Sequence, residues 1–339
     1  MIISYNNHYQ KPNKTELTSL NQFNSYLTES NKKENVIYVA FPWGEYLDIY
    51  NFQWADKFPE NKKSKFKDLT NAYNDIRNKI ENIKGDVEIF TVCQHTNAYY
   101  DALPSLFKNL NIKTIFWSHL PKETNSTSYK DLDGGIWNLD ALKSFKETFN
   151  ILPYFLDPVQ VPETLSKKEY FSERHTLVSF QGTLGDEWYL DNNRENIANI
   201  PTDDQIKIII KDNWHYHNII FNHANDKKFL DNMYIDLLKN SEYTFCPIGT
   251  GHNTIRLWEA INTGTIPVFI DNYPEFYEVC DTKIADNCIF IKSSDLKDIK
   301  QILLNNKPNL SKMRKNLYEI SLKFTSNQII NLKKYYEKI

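Results

Sequence analysis

The feature that most constrains this chain is a rhythm. Short apolar runs rich in β-branched and aromatic residues alternate with polar, helix-length segments, and the alternation runs twice along the sequence. Runs of that kind suit strands buried on both faces, and the polar segments suit helices that cover a parallel sheet. In the first half the predicted strands are Val36 to Phe41, Val87 to Val92, Thr114 to Trp117 and Ile151 to Tyr154, with helices over Lys65 to Ile83 and Tyr99 to Asn111. Asp157 to Arg174, carrying Pro158 and Pro162, reads as a connector, and the rhythm then restarts. In the second half the predicted strands are Leu177 to Phe180, Ile206 to Ile210, Tyr243 to Cys246, Ile266 to Ile270 and Cys288 to Phe290. Its helices fall at Asp226 to Asn240, Thr254 to Asn262 and Ser294 to Asn305. An α/β protein with two Rossmann-like domains is expected, residues 1–164 and 165–310. Residues 311–339 form a polar helical tail whose Met313, Leu317, Ile320 and Phe324 sit at alternating four- and three-residue spacing, suited to packing back across the junction.

A length of 339 residues supports two such domains. The 40 basic and 43 acidic residues form no long run of either sign, so neither nucleic acid nor an anionic membrane is the expected main ligand. Membrane association is expected to be peripheral at most. Cys93, Cys246, Cys280 and Cys288 lie in or near apolar runs without a C-x-x-C, which suits free buried thiols in a reducing compartment. No basic n-region followed by an apolar core opens the chain, and no stretch approaches about eighteen apolar residues, so a cytoplasmic location is expected.

The most informative window reads strand, glycine loop, helix, strand: Tyr243 to Cys246, Pro247-Ile248-Gly249-Thr250-Gly251-His252-Asn253, a helix from Thr254 to Gly264, then Ile266-Pro267-Val268-Phe269-Ile270. Asn253 or Thr254 can cap the helix. Gly249 and Gly251 let the backbone approach an anion that the helix N-terminus attracts. Arg256, in the first turn, can clamp phosphate oxygens, and Glu259, three residues on, can accept from ribose hydroxyls. Alternatively Arg256 and Glu259 form an i, i+3 surface pair and the glycines merely turn the chain. A dinucleotide fingerprint competes, because Gly249-x-Gly251-x-x-Thr254 is followed by Asp271 at the end of the next strand. Against it, the third glycine is missing, Pro247 separates strand from loop, and a complete β/α half precedes the motif. A kinase-type phosphate loop is excluded, since no Lys-Ser or Lys-Thr follows the glycines.

The stretch from Cys246-Pro247 through Gly249-x-Gly251, Arg256 and Glu259-Ala260 to Gly264-x-Ile266-Pro267-Val268 resembles the signature of the exostosin family, glycosyltransferase family 47. Tyr234-x-x-Leu237-Leu238-x-x-Ser241, Phe180-Gln181-Gly182 with Arg194, and Ile151-Leu152-Pro153-Tyr154 resemble further family segments. The likeness covers roughly residues 150 to 300 well and the N-terminal half weakly. Ile248 stands where the family usually has an arginine, and the membrane anchor of its animal and plant members is not seen. The resemblance implies a GT-B fold whose two Rossmann-like domains face a cleft. It also implies a nucleotide-sugar donor held by the C-terminal domain, and transfer with inversion at the anomeric carbon.

Inversion needs a base for the acceptor hydroxyl and stabilisation of the departing diphosphate. In a metal-free site of this kind the helix N-terminus, Arg256 and Arg194 supply the second, with Lys211, after the strand Ile206 to Ile210, a third candidate cation. Gly182 lets the backbone approach sugar or phosphate, or simply turns the chain. Asp186-Glu187 reads as a solvated turn. For the base, Glu45 ranks first and His95 second, ahead of Asp48 and His119, all in loops expected to follow strands. His215-x-His217 with His223 lacks a Cys or a well-spaced carboxylate, so no metal site is expected. Trp43, Trp54, Trp117 and Trp214 are candidate sugar platforms, though aromatic side chains are more often core.

The expected activity is transfer of a hexosyl or glycuronosyl group from a nucleotide-diphosphate sugar, most simply a UDP-sugar, to a hydroxyl of a glycan or glycoconjugate, without metal or tightly bound cofactor. The alternatives are a nicotinamide-dependent oxidoreductase using the Gly249 loop and a non-catalytic carbohydrate-binding protein.

Overall fold

The computed structural model describes residues 1–5, 14–29, 35–52, 60–99, 102–120, 139–158, 160–184, 189, 191–211, 227–249, 251, 253–271, 284–327 and 330–339. They divide into two compact units. One holds the described residues of Met1–Thr124, Asp131–Phe155 and Gln328–Ile339, and the other those of Leu156–Asn327. The boundary therefore falls before the proline-bearing connector rather than near residue 165. The last residues belong to the first unit and are not a tail of their own.

The first unit runs β1 (Ile2–Ser4), α1 (Lys14–Glu29), β2 (Val36–Ala40), α2 (Trp43–Phe52), α3 (Glu60–Glu81), β3 (Glu88–Cys93), α4 (Leu103–Asn109), β4 (Thr114–Trp117), α5 (Leu139–Thr148) and β5 (Asn150–Pro153). Its sheet is parallel in the order β1-β2-β3-β4-β5. All five residues of β2 and all four of β4 are buried, as strands covered on both faces require. Four elements go beyond the sequence expectation: β1, α1, α2 and α5. Because α2 begins at Trp43, Glu45 and Asp48 lie on a helix and not in a loop. Trp43 and Trp117 are fully buried, with indole N–H groups donating to Thr91 Oγ1 and the His95 carbonyl, both at 2.8 Å, so they are core and not sugar platforms.

The second unit runs α6 (Lys167–Tyr170), β6 (Thr176–Thr183), α7 (Asn193–Ala198), β7 (Ile206–Lys211), α8 (Lys227–Lys239), β8 (Ser241–Phe245), α9 (Ile255–Thr263), β9 (Ile266–Ile270), β10 (Ile289–Ile291) and α10 (Ile299–Asn327). Its sheet is also parallel, in the order β10-β9-β8-β6-β7. Here β6 has β7 on one side and β8 on the other, so the winding reverses at β6. Chains leaving β6 and β8 part in opposite directions, and the crevice outside their C-terminal ends is where such sheets take ligands. Gly182 lies at the end of β6 and the Gly249 loop follows β8. Helix α10 runs unbroken through Pro308, where the sequence suggested two shorter helices. Leu303, before the proline, and Met313, Leu317 and Ile320, after it, are all buried, and that packing outweighs the roughly 3 kcal/mol cost of an interior proline.

The closing helix, α11 (Ile330–Lys338), completes the first unit's core. The Tyr335 ring lies 5.5 Å from Phe90 and 5.3 Å from Phe116, and Tyr336 lies 5.3 Å from Phe23. The Tyr335 hydroxyl binds Glu88 Oε1 at 2.8 Å and Thr114 Oγ1 at 2.7 Å. No helix among the described residues is long and apolar enough to cross a membrane.

Candidate functional site

Helix α9 is fixed at its C-terminus. Gly264 caps it with φ 73°, and the N–H groups of Gly264 and Thr265 return to the Ile261 and Ala260 carbonyls at 3.3 and 3.0 Å, the pairing of a Schellman cap. Two buried arginines hold the same end. Arg174 donates to the Thr263 carbonyl at 2.5 Å and the Ser241 carbonyl at 2.7 Å, and Arg314 to the Gly264 carbonyl at 3.1 Å. Positive charge at this end complements the helix dipole.

The other end has no such provision. Thr254 occupies the N-cap without a side-chain hydrogen bond to the helix, and Asn253 Oδ1 accepts instead from the Thr254 N–H at 2.9 Å and the Trp258 indole at 3.0 Å. The first turn thus keeps its attraction for an anion.

Two guanidinium groups converge beside it. A Cβ built on Gly182 would stand 3.2 Å from both Arg194 Nη1 and Arg256 Nη2, and one on Gly249 would stand 3.9 Å from Arg194 Nη2. Arg256 Nη2 donates to the Gln181 carbonyl at 2.5 Å, and Arg194 Nη1 to the Thr183 carbonyl at 3.2 Å. Both side chains are held by aromatic rings: Arg256 Cζ lies 4.5 Å from the Phe180 centroid and 5.3 Å from that of Tyr234, and Arg194 Cζ lies 4.3 Å from that of Tyr189. Arg256 Nη1 and Arg194 Nε are buried without a hydrogen-bond partner. Burial pushes Arg194 down to about 10, and the neighbouring Arg256 charge adds in the same direction. Two like charges with unspent donors around a residue without a side chain are arranged to receive an anion.

Lys211 ends β7 in register with Thr183, at the same end of the sheet. Glu259 is placed otherwise than the sequence suggested. It is 3% exposed, so it is not half of a surface pair. Its Oε1 accepts from the Gln160 N–H at 2.7 Å and its Oε2 from the Tyr234 hydroxyl at 2.6 Å, so both oxygens have partners from the chain itself. Asp271, the residue that made a dinucleotide site conceivable, accepts from the Ser293 N–H at 2.8 Å. Cys246 is buried, and burial pushes its thiol up to about 12, so it is no nucleophile. Gly251 is described, whereas Thr250, His252, Asp186, Glu187, Trp54, Trp214, Cys280, His215, His217 and His223 lie outside the described residues. Among the described residues no group of three or more His, Cys, Asp or Glu side chains is placed to hold a metal ion.

In the first unit, Glu45 is 4% exposed and ion-paired with Lys65 from α3. Burial raises its carboxyl and Lys65 draws it back. His95, just after β3, accepts the Asn97 N–H on Nδ1 at 3.0 Å, which leaves the proton on Nε2, facing Asp48 Oδ1 at 3.1 Å. His119 is buried after β4. The sequence reading missed Glu16. This α1 carboxylate, 1% exposed, accepts the Gly44 N–H at 3.2 Å and the Gln94 N–H at 2.9 Å, tying the start of α2 to the loop after β3. Burial raises its carboxyl well above the usual range. No local pattern marks it, since its partners are 28 and 78 residues away. Tyr189 was missed likewise.

The Exostosin GT47 domain family model matches residues 9–304. No curated protein sequence matches the chain. Among solved structures, the fold is similar to an alpha-glucosyltransferase in complex with UDP, at 9% identity and TM-score 0.50, over 99% of this chain and 90% of that one. An alpha-glucosyltransferase in complex with UDP-glucose and DNA containing an abasic site matches at 10% identity and TM-score 0.49, over 99% and 89% of the two chains. The N-terminal domain of a Candida albicans trehalose-6-phosphate phosphatase matches at 12% identity and TM-score 0.47, over 99% and 98%. The first likeness, with the two parallel sheets, gives the architecture: a GT-B fold of two Rossmann-like units.

Proposed function

Since the chain belongs to the exostosin GT47 family of glycosyltransferases, we propose that its second unit holds the diphosphate of a nucleotide sugar between the N-terminus of α9 and the Arg194 and Arg256 guanidinium groups. The observation that carries this reading is the convergence of the two arginines on Gly182, each with a buried N–H left unspent. A diphosphate supplies the acceptor oxygens and charge they lack, and gains charge as the sugar leaves. Donors already in place stabilise that change without reorganising. UDP is the nucleotide proposed, because the alpha-glucosyltransferase of similar fold binds it. Lys211, at the same sheet end, is a further cation for the phosphates.

The reaction proposed is inverting transfer of a hexosyl or glycuronosyl group to a hydroxyl of a glycan or glycoconjugate. It needs no metal, because the arginines and the helix do the electrostatic work a metal would do. The base is assigned to the first unit. Within the Asp48–His95 pair the proposed proton acceptor is the Asp48 carboxylate, because His95 Nδ1 already takes the Asn97 N–H and its Nε2 faces Asp48 Oδ1, whereas the Glu45 carboxylate is held by Lys65. A cytoplasmic location and, at most, peripheral membrane association complete the reading.

Thermal stabilisation separates this reading from its rivals. UDP is expected to raise the melting temperature and NAD to leave it unchanged, and the UDP shift should vanish in Arg256→Ala. A shift with NAD alone would point to hydride chemistry. Glycan binding without UDP binding would point to a non-catalytic protein.

A further inference from the structure

Arg256 stands against aromatic faces, and the acid on its own helix is engaged elsewhere. A carboxylate three residues along would ordinarily pair with the arginine and cancel the charge a phosphate needs. Instead Glu259 Oε2 takes the Tyr234 hydroxyl at 2.6 Å, and the Tyr234 ring lies 5.3 Å from Arg256 Cζ. The negative charge is thus delivered one ring away from the cation. Burial, and after it the Glu259 charge, hold the Tyr234 phenol well above its usual range, so it remains a donor to the carboxylate.

The rest of the surroundings immobilises this plate. Tyr234, on α8, packs with Val161 and Leu238 in a small buried cluster. Helix α9 holds the 160–161 stretch at two points: Glu259 Oε1 accepts from the Gln160 N–H at 2.7 Å, and Asn262 Nδ2 donates to the Val161 carbonyl at 2.8 Å. The carboxylate therefore fixes both the ring and the segment that packs against it. A guanidinium whose platform is rigid loses less freedom when it meets an anion.

Resting on the diphosphate reading above, we infer that Glu259 is a positioning residue of the anion site: acting through the Tyr234 hydroxyl and the Gln160 amide, it fixes the platform of Arg256 and does not hold the ribose.

The test compares wild type, Glu259→Gln, Tyr234→Phe and the double variant by calorimetry or ligand-observed NMR, with pyrophosphate, uridine and UDP as probes. Pyrophosphate and UDP are expected to weaken together, on the order of tenfold, in either single variant, while uridine is unaffected. The double variant should be no worse than the singles. Weaker uridine and UDP binding with pyrophosphate unchanged would make Glu259 a ribose ligand and overturn the inference. Loss of all three probes together would reduce it to general scaffolding and overturn it as well. Tyr234→Phe removes one hydroxyl, so it serves if Glu259→Gln fails to fold. A second arm needs no nucleotide: phenylglyoxal should modify Arg256 faster in both single variants, and no faster in the double, read by mass spectrometry. Wild-type binding of neither pyrophosphate nor UDP would sink the diphosphate reading, while the modification rates still decide the positioning claim. Unchanged rates would refute it.

Discussion

At Gly182 the smallest possible change tests the site. A methyl group there would stand 2.9 Å from Phe180 Cζ and 3.2 Å from each guanidinium, so Gly182→Ala must displace the platform ring or the donors. Overpacking of this kind costs about 1–3 kcal/mol, and because the displaced atoms are the donors, UDP affinity should fall by tenfold or more, measured by titration calorimetry. Arg194→Ala should weaken UDP binding by about one to two orders of magnitude, the range for one charge-assisted hydrogen bond. In the first unit Glu16 gives a pH signature. Its carboxyl is raised in the folded chain above the usual 4.5, so the folded state holds that proton more tightly than the unfolded state does. The contribution is present in full below about 4.5 and is lost as pH rises through the raised value. Glu16→Gln keeps an oxygen for the Gly44 and Gln94 amides and removes the titration. Urea midpoints at pH 5 and pH 8 should therefore differ less in the variant than in wild type, and an unchanged difference would exclude Glu16 as the source.

Among the elements, α9 shows how far local rules reach. Its end was legible from Gly264, which must be glycine twice over: its φ is 73°, and an added Cβ would lie 2.6 Å from the Tyr170 ring. Gly264→Ala should cost about 3 kcal/mol or more, read as a lowered urea midpoint. Its start was legible from Thr254, which holds the N-cap, and the strands were legible because both faces are buried. The arginine network at the C-terminus was not legible, because Arg174 reaches carbonyls that tertiary packing alone brings together. Nor was α1, whose apolar stripe is interrupted by the buried Thr15, Glu16 and Ser19. A buried carboxylate looks like a surface residue until its partners are known. Glu259 shows the same limit inside a recognised motif. Its spacing placed it near Arg256 correctly, while the direction of its oxygens depended on Tyr234 and Gln160.

For the molecule as a whole, the chain's return matters most. Along the sequence the second unit is inserted between two segments of the first, since α11 supplies Tyr335 and Tyr336 to a core otherwise built from residues before 156. Ending the chain at Asn327 would uncover the aromatic faces of Phe23, Phe90 and Phe116 and leave Glu88 and Thr114 without the Tyr335 hydroxyl. Losing the buried Tyr336 alone costs about 3–5 kcal/mol, a large share of an ordinary domain's stability, and the half-buried Tyr335 adds to it. The second unit keeps its complete sheet, α9 and both arginines. Calorimetry of the truncated chain should therefore show a transition shifted to lower temperature that UDP does not move, beside one that UDP still raises. Loss of UDP stabilisation along with the first unit would mean that the anion site depends on more than the second unit's own residues.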